Sequence, residues 1–136
     1  GSKEAFRRVD FDYCVGIATL AVNSGTSVVS LVSSVGADAS SSNFYLRTKG
    51  EVEEAIKTLG FSTINLYRPG LLIGKRSERR MGEGLGKIIF NIIDPLLFGS
   101  LSKYRSVKAE TLAHAMIENR SGPSGINYFF FKQFKS

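Results

Sequence analysis

An apolar strand, a helical turn and a second strand succeed one another in the middle of this chain, and that order restricts its fold more than any other feature. Val28 to Ser34 is β-branched and apolar, and it ends in two serines. Tyr45 and Lys49 follow at the start of a helical pattern, and Thr63 to Tyr67 forms a second β-rich run that stops at Arg68-Pro69-Gly70. Strands and helices alternating at this length predict right-handed β-α-β crossovers and a parallel sheet, which is an α/β architecture. With little polar alternation beyond Ser30, the first strand reads as buried on both faces.

Around this unit the periodicity predicts further elements. Phe11, Cys14, Val15, Ala18 and Ala21 recur at helical spacing from Asp10 to Ser24, with Gly25 as the stop. Ser42 or Asn43 caps the helix that carries Tyr45, and Gly60 closes it after Leu59. Leu85 to Ile93 reads as a helix ended by Pro95, and Ala109 to Asn119 as another with Leu112, Ala113, Met116 and Ile117 inward. Ile126 to Phe131 is the last strand. About three strands are therefore expected, where a doubly wound sheet usually carries five to seven. The 136 residues read as a single partial domain, the C-terminal portion of a doubly wound parallel sheet.

Composition narrows the function classes. A 43% apolar content is that of a globular chain. The charged opening Gly1-Ser2-Lys3-Glu4 leads us to expect no secretion signal, and Ile88 to Phe98, the longest apolar candidate, is broken by Asn91, Asp94 and Pro95, so no membrane span is expected. One cysteine, Cys14, excludes an internal disulfide and reads as a structural thiol. The single histidine, His114, gives no support to a metal site, and none is expected. These features predict a cytoplasmic protein. The net charge of +6 concentrates in Lys75, Arg76, Arg79 and Arg80. That run is a solvated loop or a patch facing a phosphate-bearing ligand; it lacks the interleaved aromatics of a nucleic-acid platform, and nucleic acid is not an expected partner.

Tyr-x-x-x-Lys occurs at Tyr45/Lys49, Tyr104/Lys108 and Tyr128/Lys132. Only the first pair falls on one helical turn, where i and i+4 side chains meet. It alone follows serines at a strand's C-terminal end, where open parallel sheets bind ligands. An ammonium close to Tyr45 favours the phenolate, which fits the phenol to exchange a proton with a carbonyl or alcohol. Lys49 is also suited to bonding a cofactor ribose. Ser34 is the candidate for polarising the carbonyl oxygen, with Ser33 as the alternative if the strand register differs by one. Arg68, Pro69, Gly70, Leu71 and Leu72 form the turn against which a nicotinamide would lie, glycine letting a flat ring approach. Arg68 itself reads as structural or ion-paired. The plain alternative is a solvated tyrosine and lysine beside a strand end.

These residues resemble the short-chain dehydrogenase/reductase superfamily, and more narrowly its atypical branch of Tat-interacting-protein-like oxidoreductases. The similar stretches are Phe6-Arg7-Arg8-Val9-Asp10, Leu31 to Asp38, Ser42 to Leu46 leading to Lys49-Gly50-Glu51-Val52-Glu53, and Tyr67 to Leu72. The resemblance implies a Rossmann-type fold, NADP or NAD as cofactor without a stated preference, and Ser34, Tyr45 and Lys49 as the catalytic set. It also implies an N-terminal Gly-x-x-Gly-x-x-Gly strand-turn-helix to hold the pyrophosphate, which this sequence does not match. The expected activity is hydride transfer between nicotinamide and a small carbonyl or alcohol substrate in the longer protein, the 136 residues alone being inactive. The alternatives are a catalytically silent, dinucleotide-sensing regulatory or scaffolding protein, or an inactive truncated product. A homodimer or a protein partner would suit the apolar runs Ile88 to Phe98 and Tyr128 to Phe134.

Overall fold

The computed structural model describes residues 2–74 and 96–134. Three parallel strands form its main sheet: β1 (Val28–Val32), β2 (Thr63–Tyr67) and β5 (Gly125–Phe129), in the order β1-β2-β5. The register pairs Val28 with Thr63 and Thr63 with Gly125, so all three strands end at one edge. A smaller parallel pair, β3 (Leu72–Ile73) with β4 (Val107–Lys108), was not foreseen, because two residues are too few to show a period. The result is a mixed α/β structure consistent with part of a Rossmann-like fold.

The first helix, α1, is longer than its periodicity suggested. Lys3–Arg7 and Cys14–Asn23 are α-helical and a π-helical stretch, Arg8–Tyr13, joins them. Ser2 caps the start by accepting from the Ala5 amide, and Gly25, at φ 86°, ends it in the left-handed region that glycine tolerates. Helix α2 (Phe44–Lys57) begins at Asn43, whose side chain accepts from the Leu46 amide at 3.1 Å. Helix α3 (Ala109–Glu118) follows β4 directly. Its inward face is Leu112, Ala115 and Met116; Ala113 and Ile117 are exposed, correcting the expected face.

Period-two alternation along the strands divides the core in two. Leu31, Ile64 and Leu66 point to α1 and α2, where Ala18, Val52 and Ile56 meet them. Val32, Tyr67 and Phe129 point to α3, where Leu112 and Ala115 close on them together with Phe131 and Phe134. The strand buried on both faces is β2, not β1: every β2 residue is buried, while β1 lies at the sheet edge and exposes Ser30. Strand order advances in one direction while α2 and α3 lie on opposite faces.

Polar groups are also ordered within this core. Asn65, fully buried, donates to the Asn119 carbonyl at 3.2 Å and accepts from Asn127 at 3.1 Å. That ladder ties β2 and β5 to the end of α3. The basic run Lys75 to Arg80, the glycines 82, 84 and 86 and the helix expected at Leu85 to Ile93 lie outside the described residues. Among the described residues, no helix is long and apolar enough to cross a membrane.

Candidate functional site at the C-terminal edge of the sheet

The β1 ladder runs one residue past the strand, where the Ser33 amide donates to the Tyr67 carbonyl at 2.7 Å. Alternation then turns Ser33 to the side of α1 and α2, with Leu31, and Ser34 to the other side, with Val32. Both serines are buried. Ser34 Oγ donates to the Val35 carbonyl at 3.3 Å, whereas Ser33 Oγ finds no hydrogen-bond partner among the described residues. An unsatisfied buried hydroxyl costs about 1–3 kcal/mol, so Ser33 is the serine with an unused donor, and it lies on the same side of the sheet as Tyr45 and Lys49.

After Ser34 the chain turns at Gly36, φ 79°, and settles on α2. Asp38 accepts from both the amide and the hydroxyl of Ser40, at 2.8 and 2.7 Å, and these bonds hold its carboxyl below the ordinary value of 3.8. The Asp38 amide donates to the Leu46 carbonyl at 3.1 Å. Such close seating requires Gly50: a Cβ there would fall 2.2 Å from the Ala39 nitrogen and 2.3 Å from the Asp38 carbonyl carbon. The loop between the serines and Tyr45 is thus clamped to the helix that carries Tyr45.

Tyr45 and Lys49 stand one turn apart on α2, but α1 engages each of them separately. The Tyr45 ring packs against Phe6 with centroids 5.6 Å apart, and 43% of the residue is exposed. Its hydroxyl has no hydrogen bond among the described residues, and it lines a shallow cavity of about 230 Å³ with Ser2, Lys3, Phe6 and Phe44. The Lys49 ammonium forms an ion pair with the Asp10 carboxylate of α1. Arg7 pairs in the same way with Glu51. Asp10 was not singled out from the sequence, although it belongs to the Phe6 to Asp10 stretch on which the resemblance rests. Cys14 lies beside this pair, half-buried, and burial pushes its thiol above the ordinary value of 9.0.

In the turn after β2, Gly70 is closely packed in the direction a side chain would take, because a Cβ there would lie 2.4 Å from the Tyr104 carbonyl oxygen and 2.6 Å from that of Arg105. The glycine is needed for a backbone crossing within the chain, a requirement separate from the ring approach expected of it. The Pro69 carbonyl accepts from the Val35 amide at 2.9 Å, and the Leu71 carbonyl from the Val107 amide at 2.8 Å. The side chains of Leu71 and Leu72 are exposed. Arg68 grips the fully buried Glu53 through two bonds of 2.9 and 2.5 Å, which raise its already high proton affinity, and it stacks on Tyr128 at 4.9 Å. The other two Tyr-x-x-x-Lys pairs are split between elements. Tyr104 ends a 3₁₀ turn (Gly99–Tyr104) while Lys108 is in β4; Tyr128 is in β5 while Lys132 is in the 3₁₀ turn Phe131–Phe134.

No family model matches the chain. It is 38% identical over 120 residues to the protein named HTATIP2 of Rattus norvegicus, an alignment covering 88% of this chain and 48% of that protein. It is 39% identical over 117 residues to the mitochondrial protein FMP52 of Coccidioides immitis, covering 86% and 48%. With FMP52 of Candida albicans, also named mitochondrial, it shares 43% over 93 residues, covering 68% and 39%. The chain thus spans less than half the length of each of these relatives. The mitochondrial names correct the expectation of a cytoplasmic protein, since they point away from a purely cytoplasmic location. This chain is therefore similar along most of its length to proteins named HTATIP2 and FMP52, which is consistent with the Tat-interacting-protein-like family.

Proposed function

We propose that the protein containing this chain is an NAD(P)-dependent oxidoreductase of the short-chain dehydrogenase/reductase type, acting on a small carbonyl or alcohol. The observation that carries the reading is an uncommitted phenol, Tyr45, on the helix that follows a strand end bearing an unpartnered buried hydroxyl, Ser33, the helix and the hydroxyl lying on one side of a parallel sheet. The residues present fit the proton-transfer half of such chemistry. Tyr45 exchanges the proton, Ser33 donates to the carbonyl oxygen, and Asp10 holds the Lys49 ammonium in an ion pair. Ser33 takes the role first assigned to Ser34, because it has the free donor and shares the face. A nicotinamide cofactor, NAD or NADP, supplies the hydride when bound. Of the turn expected to face it, the exposed Leu71 and Leu72 suit contact.

Tyr45→Phe in the full-length protein tests this reading. Turnover on a panel of aldehydes and ketones is expected to fall by about 10²–10⁴-fold, the range for loss of a positioned acid–base group, with cofactor binding retained. Undiminished turnover refutes it. Ser33→Ala is expected to cost more activity than Ser34→Ala. One observation favours a second reading, a catalytically silent protein that senses a dinucleotide: Lys49 is already neutralised by Asp10 rather than hydrogen-bonded to the phenol. Full-length protein that binds NADPH, turns nothing over and changes its partner affinity with cofactor would select that reading.

A further inference from the structure

Off the C-terminal end of β5, the 3₁₀ turns Gly99–Tyr104 and Phe131–Phe134 pack side by side and flank an open cavity of about 400 Å³. Its volume is in the range of small-molecule sites. Ser102 and Lys103 line it from one turn, Phe130, Lys132 and Gln133 from the other. Two of these five residues are cationic and none is acidic, and neither lysine is ion-paired among the described residues. The remaining polar groups serve the backbone: Ser102 Oγ donates to the Gly99 carbonyl at 2.7 Å, and Gln133 Oε1 accepts from the Phe130 amide at 2.9 Å. Lys103 is steered by the Tyr104 ring, 5.3 Å from its ammonium. Phe130 supplies an apolar wall. The cavity also lies at the edge where open parallel sheets take ligands, although no residue proposed above for proton transfer belongs to it.

We propose that this cavity binds a small molecule in which an oxyanion, a carboxylate or a phosphate monoester, is carried on an aromatic body. The ammonium groups of Lys103 and Lys132 hold the anion and Phe130 packs on the body. The inference is independent of the acid–base reading of Tyr45.

A ¹H–¹⁵N NMR titration of the full-length protein with benzoate, phenyl phosphate, inorganic phosphate and benzyl alcohol tests it. Benzoate or phenyl phosphate is expected to shift the amides of Lys103 and Lys132 saturably, the tighter of the two identifying the anion. The double variant Lys103→Ala/Lys132→Ala is expected to bind about tenfold more weakly or worse, while Lys103→Arg/Lys132→Arg retains binding. Binding by the unaltered protein is also expected to weaken as salt is raised, a measurement that needs no variant. Equal affinity for benzyl alcohol or for inorganic phosphate, an unaffected alanine double variant, or salt-insensitive binding overturns the proposal.

Discussion

At the scale of single residues, the loop–helix contacts depend on what two glycines lack. Helix propensity favours alanine over glycine by about 1 kcal/mol in a helix interior, so Gly50→Ala would stabilise α2 in isolation. In the folded chain the added methyl meets the Asp38–Ala39 backbone, which cannot swing aside as a side-chain tip can. The overpacking cost of about 1–3 kcal/mol wins, and denaturant unfolding of Gly50→Ala is expected to report a net loss. Gly70→Ala meets main-chain carbonyls and is expected to lose stability likewise. Asp38 offers a second reading of the same loop. Its carboxyl is depressed by the Ser40 bonds, so the turn's stabilisation is fully present above the unfolded value, near 3.9. It is lost as the pH falls through the lower folded value. Carbon NMR titration is expected to show a midpoint below 3.8, moving up in Ser40→Ala.

Elements show which parts of the chain spoke for themselves. Thr63–Tyr67 and the start of α2 at Ser42 or Asn43 were legible because a β-rich run closed by Arg68-Pro69-Gly70 and a capping side chain are local signals. The edge position of β1 was not, since an apolar strand reads alike whether one or both of its faces are covered. Ser33 and Ser34 were legible as a pair, and only the carried-on ladder distinguishes them. Asp10 and Glu53 escaped notice because each ion pair joins residues distant in sequence, 39 and 15 positions apart. The Glu53–Arg68 pair also predicts how α2 is fastened to β2. Arg68→Met leaves the Glu53 carboxylate, 1% exposed, without its partner, and should cost about 3–5 kcal/mol. Removing both charges together with Glu53→Gln should cost less, and urea unfolding of the two variants checks the order.

On the scale of the whole molecule, β2 is the axis on which everything else is hung. It pairs on both edges and is covered on both faces, by α1 and α2 on one side and α3 on the other. Native-state hydrogen exchange is expected to find its slowest amides in Thr63–Tyr67, with the solvent-facing side of β1 exchanging sooner. Equal protection across the sheet contradicts this hierarchy. The parallel arrangement was readable from alternation of strand and helix, whereas no local pattern encodes which face each helix covers.

The bare main-chain seat of Tyr104–Arg105 on Gly70 has a consequence at this scale. It joins the chain just past β2 to the end of the 3₁₀ turn that carries Lys103. With no side chain to compress between them, a push on either side is passed on rather than absorbed. A displacement of Tyr104 or Arg105 is therefore passed to Gly70, three residues past the end of β2.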